Sequence, residues 1–187
     1  MNAAFLKNKH ETGLSYGAYL ATDPMRGAAW RKKSDGIKLS TDQRTLLARF
    51  VRPMPVICLS GIWCGDCAVQ CPMLDAIASA CPIVDLVFLD NAEHSDLANE
   101  VRIAGGNRVP TVLWMSEEYE FVHLLGDRTL SRYRQLAATQ LGAACPLPSF
   151  VQPADEVAIM VGEWLNEFER VQWILRLSPH LRQLHGD

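Results

Sequence analysis

Two short runs of branched apolar residues, 55–60 (PVICLS) and 83–90 (IVDLVFLD), enclose a single helical stretch. That stretch opens on Cys64 and continues through Met73, Leu74, Ile77 and Ala78 at helical spacing. Strand, helix and strand in this order are expected to close as a right-handed parallel crossover. Downstream, residues 111–115 (TVLWM) and 120–125 (EFVHLL) flank a short polar turn and predict an antiparallel hairpin. Ser95 is expected to cap a helix running through Ala104 and ended by Gly105 and Gly106. Residues 129 to about 141 read as a closing helix. Upstream, Ser40 and Gln43 form a capping-box pattern ahead of the apolar face of Leu46, Leu47 and Phe50. The order β-α-β-α-β-β-α predicts a mixed sheet with helices on both faces.

The flanks carry weaker patterns. Residues 1–40 contain Gly13, Pro24, Gly27 and Gly36 and predict short helices and loops packed on the main body. A proline-rich connection at 145–153 (CPLPSFVQP) leads to Val157, Met160, Val161, Trp164, Leu165, Phe168, Val171 and Leu175. Their spacing predicts an amphipathic helix stopped at Ser178 and Pro179, either docked on the domain or offered to a partner. The expected divisions are thus 1–40, 41–142 and 143–187.

The 187 residues carry a net charge of −3 with no basic block, which gives no case for nucleic acid or an anionic membrane. No apolar run reaches the ~18–20 residues of a membrane-spanning helix. Lys7, Lys9, His10 and Glu11 interrupt what a signal peptide would keep apolar, so a cytoplasmic location is expected. In a reducing cytosol six cysteines do not read as a structural disulfide framework, and a reactive or metal-binding subset is the better default.

Three of those cysteines, Cys64, Cys67 and Cys71, fall in the segment GIWCGDCAVQCP. Cys64 and Cys67 sit where a strand hands over to a helix, and the free N–H groups there favour a thiolate. Their spacing lets the sulfurs meet in the first turn, with Cys64 the exposed attacker and Cys67 the covered resolving thiol. Trp63 is expected to shield one side. Cys71, seven positions after Cys64, lies about 10 Å along a straight helix axis, too far for a Cys64–Cys71 bond. It reads as a buried neighbour, with a redox-sensing or metal role as the alternative. Pro72 is expected to kink the helix. Cys58, Cys81 and Cys145 read as small apolar fillers.

The WCGDC motif at a strand end, Pro72 eight residues after its first cysteine, and RVPT opening the hairpin strand together resemble the thioredoxin family. The resemblance covers residues 41–142. It implies a thioredoxin-like three-layer α/β/α sandwich with a mixed central sheet, here with helical N- and C-terminal extensions. It implies Cys64 as nucleophile and Cys67 as resolving thiol, supported by Trp63, Gly65 and Asp66. Pro110 would be a cis-proline facing the pair, and Val109 the residue whose backbone pairs with a bound substrate segment. Three positions depart from the family pattern. Cys58 replaces a buried aspartate, Leu86 a lysine on the next strand, and Asp66 the proline usual between the cysteines. Without the buried acid, proton transfer from the resolving cysteine would lean on water or on Asp66.

The expected activity is a thiol–disulfide oxidoreductase acting on protein or small-molecule disulfides. A reductase or low-molecular-weight thiol would recycle it, and no cofactor or metal is called for. Two alternatives stay open. One is a metal-binding or redox-sensing module using Cys64, Cys67, Cys71 and a histidine such as His94; the other is a partner-binding adaptor in which the fold is only a scaffold. The remaining histidines, His10, His123, His180 and His185, show no metal-like spacing.

Overall fold

The computed structural model describes residues 1–141 and 155–187, so Cys145 and the proline-rich connection lie outside the described residues. Four helices come first: α1 (Ala3–Glu11), α2 (Tyr16–Ala21), α3 (Pro24–Ser34) and α4 (Thr41–Leu47). Then follow β1 (Met54–Ser60), α5 (Gly65–Ser79), β2 (Val84–Asp90), α6 (Ser95–Glu100), β3 (Thr111–Met115) and β4 (Phe121–Gly126). The described chain closes with α7 (Leu130–Gln140), α8 (Glu156–Leu177) and α9 (Pro179–His185). The sheet order is β2-β1-β3-β4, parallel between β1 and β2 and antiparallel elsewhere. This is the expected mixed sheet between two helical layers.

Strand β1 explains why an unbroken apolar run was needed there. It is paired along both edges and buried on both faces, so every position must be apolar or hydrogen-bonded. Val56 and Cys58 join the core shared by α2–α5 and α8, while Ile57 and Leu59 join a second core with Leu6 of α1 and Leu97 of α6. The outer edge of β2 is partly covered by the N-terminal segment. Leu14 and Phe88 exchange backbone hydrogen bonds of 3.0 and 2.8 Å. Tyr19 of α2 stacks on Phe88 and meets Trp30 of α3.

Helix α8 lies against the sheet with Trp164 and Phe168 packed on Trp114 of β3, at ring-centroid distances of 6.3 and 5.3 Å. Its buried Gln172 accepts hydrogen bonds from the Val51 and Arg52 N–H groups and donates to the Arg52 carbonyl. This satisfies the irregular backbone just before β1. Among the described residues no helix is long and apolar enough to cross a membrane.

Some boundaries differ from expectation. Helix α6 ends at Glu100, short of Ala104, and His94 occupies its N-cap instead of Ser95. The Asp90 carboxylate accepts from the Ala92 and Glu93 N–H groups, so the turn into the helix starts upstream of Ser95. Beyond Val101 the chain enters a tight Ile103–Gly106 bridge in which Ala104 takes φ +48°. Val157 is exposed and does not belong to the buried stripe of α8. The α5 helix runs unbroken from Gly65 to Ser79 with Pro72 buried inside it.

Gln172→Ala orphans the buried backbone groups of Arg52. Urea denaturation should show a loss of about 2–4 kcal/mol, at roughly 1–3 kcal/mol for each unsatisfied buried group. A loss under about 1 kcal/mol would contradict this role for the side chain.

Candidate active site

The end of β1 sets the position of the motif. Ser60 is the last strand residue, and the Cys64 N–H donates to the Gly61 carbonyl at 2.8 Å, closing a turn that aims the chain into α5. Cys64 then occupies the helix N-cap, a place usually held by Ser, Thr, Asp or Asn. Its sulfur accepts from the Cys67 N–H at 3.3 Å, as a capping oxygen would. The same sulfur donates to the Val109 carbonyl at 3.6 Å, across 45 residues of sequence. The Val109–Pro110 peptide is cis. Cys64 is half-buried, whereas Cys67 is sealed at 0 % exposure. One reachable sulfur therefore sits over one protected sulfur, beside the backbone bend that leads into β3.

The other motif residues are close by. Trp63 is 62 % exposed, leaving much of its ring in solvent. It lies over Gly61, where an added Cβ would come within 2.7 Å of the indole. Gly65 faces open space, and a Cβ there would meet nothing within 4 Å.

Asp66 does not stand free beside the cysteines. Its carboxylate is bracketed by Arg128 at 2.6 Å and Arg132 at 2.8 Å, both from the β4–α7 region. Burial works to raise this carboxyl, and the hydrogen bonds and charges of Arg132 and Arg128 overcome it, holding it below the usual carboxylate range. Asp66 is therefore a poor proton acceptor. Next to it the buried Asp127 carboxylate meets Arg128 at 2.5 Å, Arg108 at 3.4 Å and the Tyr133 hydroxyl. Gln70 of α5 ties this loop down, donating to the Asp127 carbonyl at 3.0 Å and accepting from the Thr129 N–H at 3.2 Å. None of Gln70, Arg108, Asp127, Arg128 or Arg132 stands out in sequence, because the contacts Gln70–Asp127, Arg108–Asp127, Arg128–Asp66 and Arg132–Asp66 span 19 to 66 positions.

The thiols are not acidic. The neighbouring Cys67 thiol and then burial push Cys64 up from the ordinary thiol value, while the Cys67 and Asp66 N–H groups pull it back only in part. Burial pushes Cys67 up as well. The helix N-terminus alone, which the sequence favours as an acidifying influence, is thus outweighed by two thiols sharing an enclosed space. His94 lies apart from the motif, with its Nδ1 3.4 Å from Lys9 Nζ. Among the described residues no group of three or more His, Cys, Asp or Glu is arranged to hold a metal ion.

A sequence-family profile described as Thioredoxin matches residues 13–137. The chain belongs to the thioredoxin family. Among solved structures it is similar to a protein of unknown function from Pseudomonas aeruginosa, with 18 % identity over 91 % of this chain and 98 % of that one, at TM-score 0.69. It is also similar to an HIV epitope scaffold, with 17 % identity over 91 % of this chain and 99 % of that one, at TM-score 0.66. Both likenesses show a shared fold. No curated protein matches the chain in sequence at a significant level. The motif's acid is clamped between two guanidinium groups from the segment that follows β4.

Asp66→Asn removes a negative charge next to Cys64 and leaves Arg128 and Arg132 in place. Alkylation of Cys64 by iodoacetamide at pH 7 should speed up roughly three- to tenfold, since nearby positive charge favours the thiolate. The variant should also lose about 1–3 kcal/mol of stability at neutral pH. The Asp66 carboxyl is held below its unfolded value, so its contribution is present above the unfolded carboxylate pKa of about 3.9 and fades as pH falls below it. The stability gap between variant and parent should therefore close in acid. Slower alkylation, or a gap that widens in acid, would contradict the charge assignment.

Proposed function

We propose that this thioredoxin-family protein is a thiol–disulfide oxidoreductase working through Cys64 and Cys67 on protein or small-molecule disulfides. The observation that carries the reading is the Cys64 sulfur, half-buried at a helix N-cap and 3.6 Å from the Val109 carbonyl beside the cis Pro110. A substrate segment lying in extended form along Val109 would pair with its backbone and bring a disulfide to that sulfur without much reading of side chains. The exposed Trp63 offers a flat apolar surface at the rim.

The Cys64 thiolate attacks one sulfur of the substrate disulfide, forming a mixed disulfide and releasing the first substrate thiolate. Cys67 then attacks the Cys64 sulfur and releases the second. The pair is left as a disulfide, and an external dithiol reductase or low-molecular-weight thiol returns two electrons to it. Asp66 holds Arg128 and Arg132 and takes no proton, so water at the half-exposed Cys64 serves in proton transfer. Because the enclosure favours neither thiolate, the reduced state lacks the stabilisation that makes a strong oxidant. This speaks against a strong oxidant, and the reductive direction is the one proposed. A cytoplasmic setting suits this direction.

Reduction of insulin disulfides by dithiothreitol, catalysed by the protein, tests the reading. Cys64→Ser should abolish catalysis, and Cys67→Ser should accumulate a mixed disulfide to Cys64 that mass spectrometry detects. Catalysis that survives Cys64→Ser would overturn the assignment.

A further inference from the structure

Beneath the working pair lie two more thiols that this reaction leaves unused. Cys58 on β1 and Cys71 on α5 are both 0 % exposed, and their sulfurs are 3.8 Å apart. The Ser60 hydroxyl lies 3.5 Å from the Cys71 sulfur. Cys71 lies one helical turn beyond Cys67 on the buried face of α5, so the two side chains are neighbours on the helix. The four sulfurs thus form a continuous series from the half-buried Cys64, through Cys67 and Cys71, to the sealed Cys58. The Tyr19 hydroxyl of α2 is buried without a hydrogen-bond partner.

Two sulfurs already in contact on neighbouring packed elements need side-chain rotation to reach a bond of about 2.05 Å. No solvent or substrate reaches them, so the sulfur open to exchange with them is Cys67.

We infer that Cys58 and Cys71 form a second, buried dithiol–disulfide couple that takes oxidising equivalents from Cys64–Cys67. This rests on the oxidoreductase reading, in which a substrate disulfide first oxidises the outer pair. The Cys71 thiolate attacks the Cys67 sulfur; the Cys67–Cys71 bond forms, the Cys64–Cys67 bond breaks, and Cys64 leaves with the electron pair and takes up a proton. The Cys58 thiolate then attacks the Cys71 sulfur; the Cys58–Cys71 bond forms, and Cys67 leaves with the electron pair and takes up a proton. The two protons released by Cys71 and Cys58 balance the two gained by Cys64 and Cys67. Two electrons have moved outward, and the outer pair is again a dithiol able to reduce a second disulfide.

The intermediate is short-lived for a geometric reason. Cys67 and Cys71 are one turn apart on a single helix, which is poor disulfide geometry, whereas Cys58 approaches from the strand. Burial pushes the Cys58 and Cys71 thiols up, so attacking thiolate is scarce and the inner step is slower than the outer one.

Anaerobic oxidation of the reduced protein by excess oxidised glutathione, followed by acid quench, unfolding, thiol tagging and peptide mapping, tests the inference. Wild type should lose the Cys64 and Cys67 thiols in a fast phase and the Cys58 and Cys71 thiols in a slower one, with a Cys58–Cys71 linked peptide in the map. Cys58→Ala and Cys71→Ala should each lack that linked peptide and its slow phase. If wild type forms Cys64–Cys67 while Cys58 and Cys71 both remain taggable, the inner couple is refuted and the oxidoreductase reading stands. If no Cys64–Cys67 disulfide forms, both fall. The wild-type map decides the matter even where an alanine variant fails to fold.

Discussion

Strand β1 is paired on both edges and packed on both faces, and each part of the site takes its position from it. Its parallel partner β2 requires a crossover, which makes α5 begin at the strand's end. Its antiparallel partner β3 brings Val109 and Pro110 back to the same end. The meeting of Cys64 and Val109 across the top of the sheet is therefore a consequence of sheet register. The alternating faces of β1 also divide the core: Val56 and Cys58 point to the layer of α5 and α8, and Ile57 and Leu59 to that of α1 and α6. Helix α8 closes the first layer through Trp164 and Phe168 and steadies the approach to β1 through Gln172. Its buried face is thus occupied within the chain.

Charge and burial around the motif act in opposite senses. The helix N-terminus favours a thiolate at Cys64, while the enclosed second thiol opposes it more strongly. Asp66, which would add a further opposing charge, is neutralised by Arg128 and Arg132. Arg128 comes from the loop that Gln70 of α5 holds in place, and Arg132 from the first turn of α7 that follows it. Their position and the position of the motif are therefore set by the same helix. A pair of thiols whose reduced form gains no thiolate stabilisation lacks the feature that makes a strong oxidant.

The sequence displayed the parts whose signal is local. The apolar runs of β1 and β2, the hairpin, the closing helix and the capping box at Ser40 follow from short-range pattern, and the structure holds them close to where the pattern puts them. Helix α6 ends at Glu100, short of the stop that Gly105 and Gly106 suggest, because those glycines belong to the separate Ile103–Gly106 turn. The charge cluster around Asp66 and the Cys58–Cys71 contact could not be seen locally, since each joins residues on different elements. Cys58 read as a filler because its own strand says only that the position is buried. What it touches is decided by the packing of α5.

Every step of the proposed chemistry requires Cys64 and Cys67 to form a two-electron couple. Equilibration of the protein with dithiothreitol or glutathione redox buffers, with tagging of the free thiols, measures this directly. The expected result is a Cys64–Cys67 disulfide whose midpoint lies nearer about −270 mV than the about −120 mV of strong oxidants. Absence of that disulfide at every poise would contradict it.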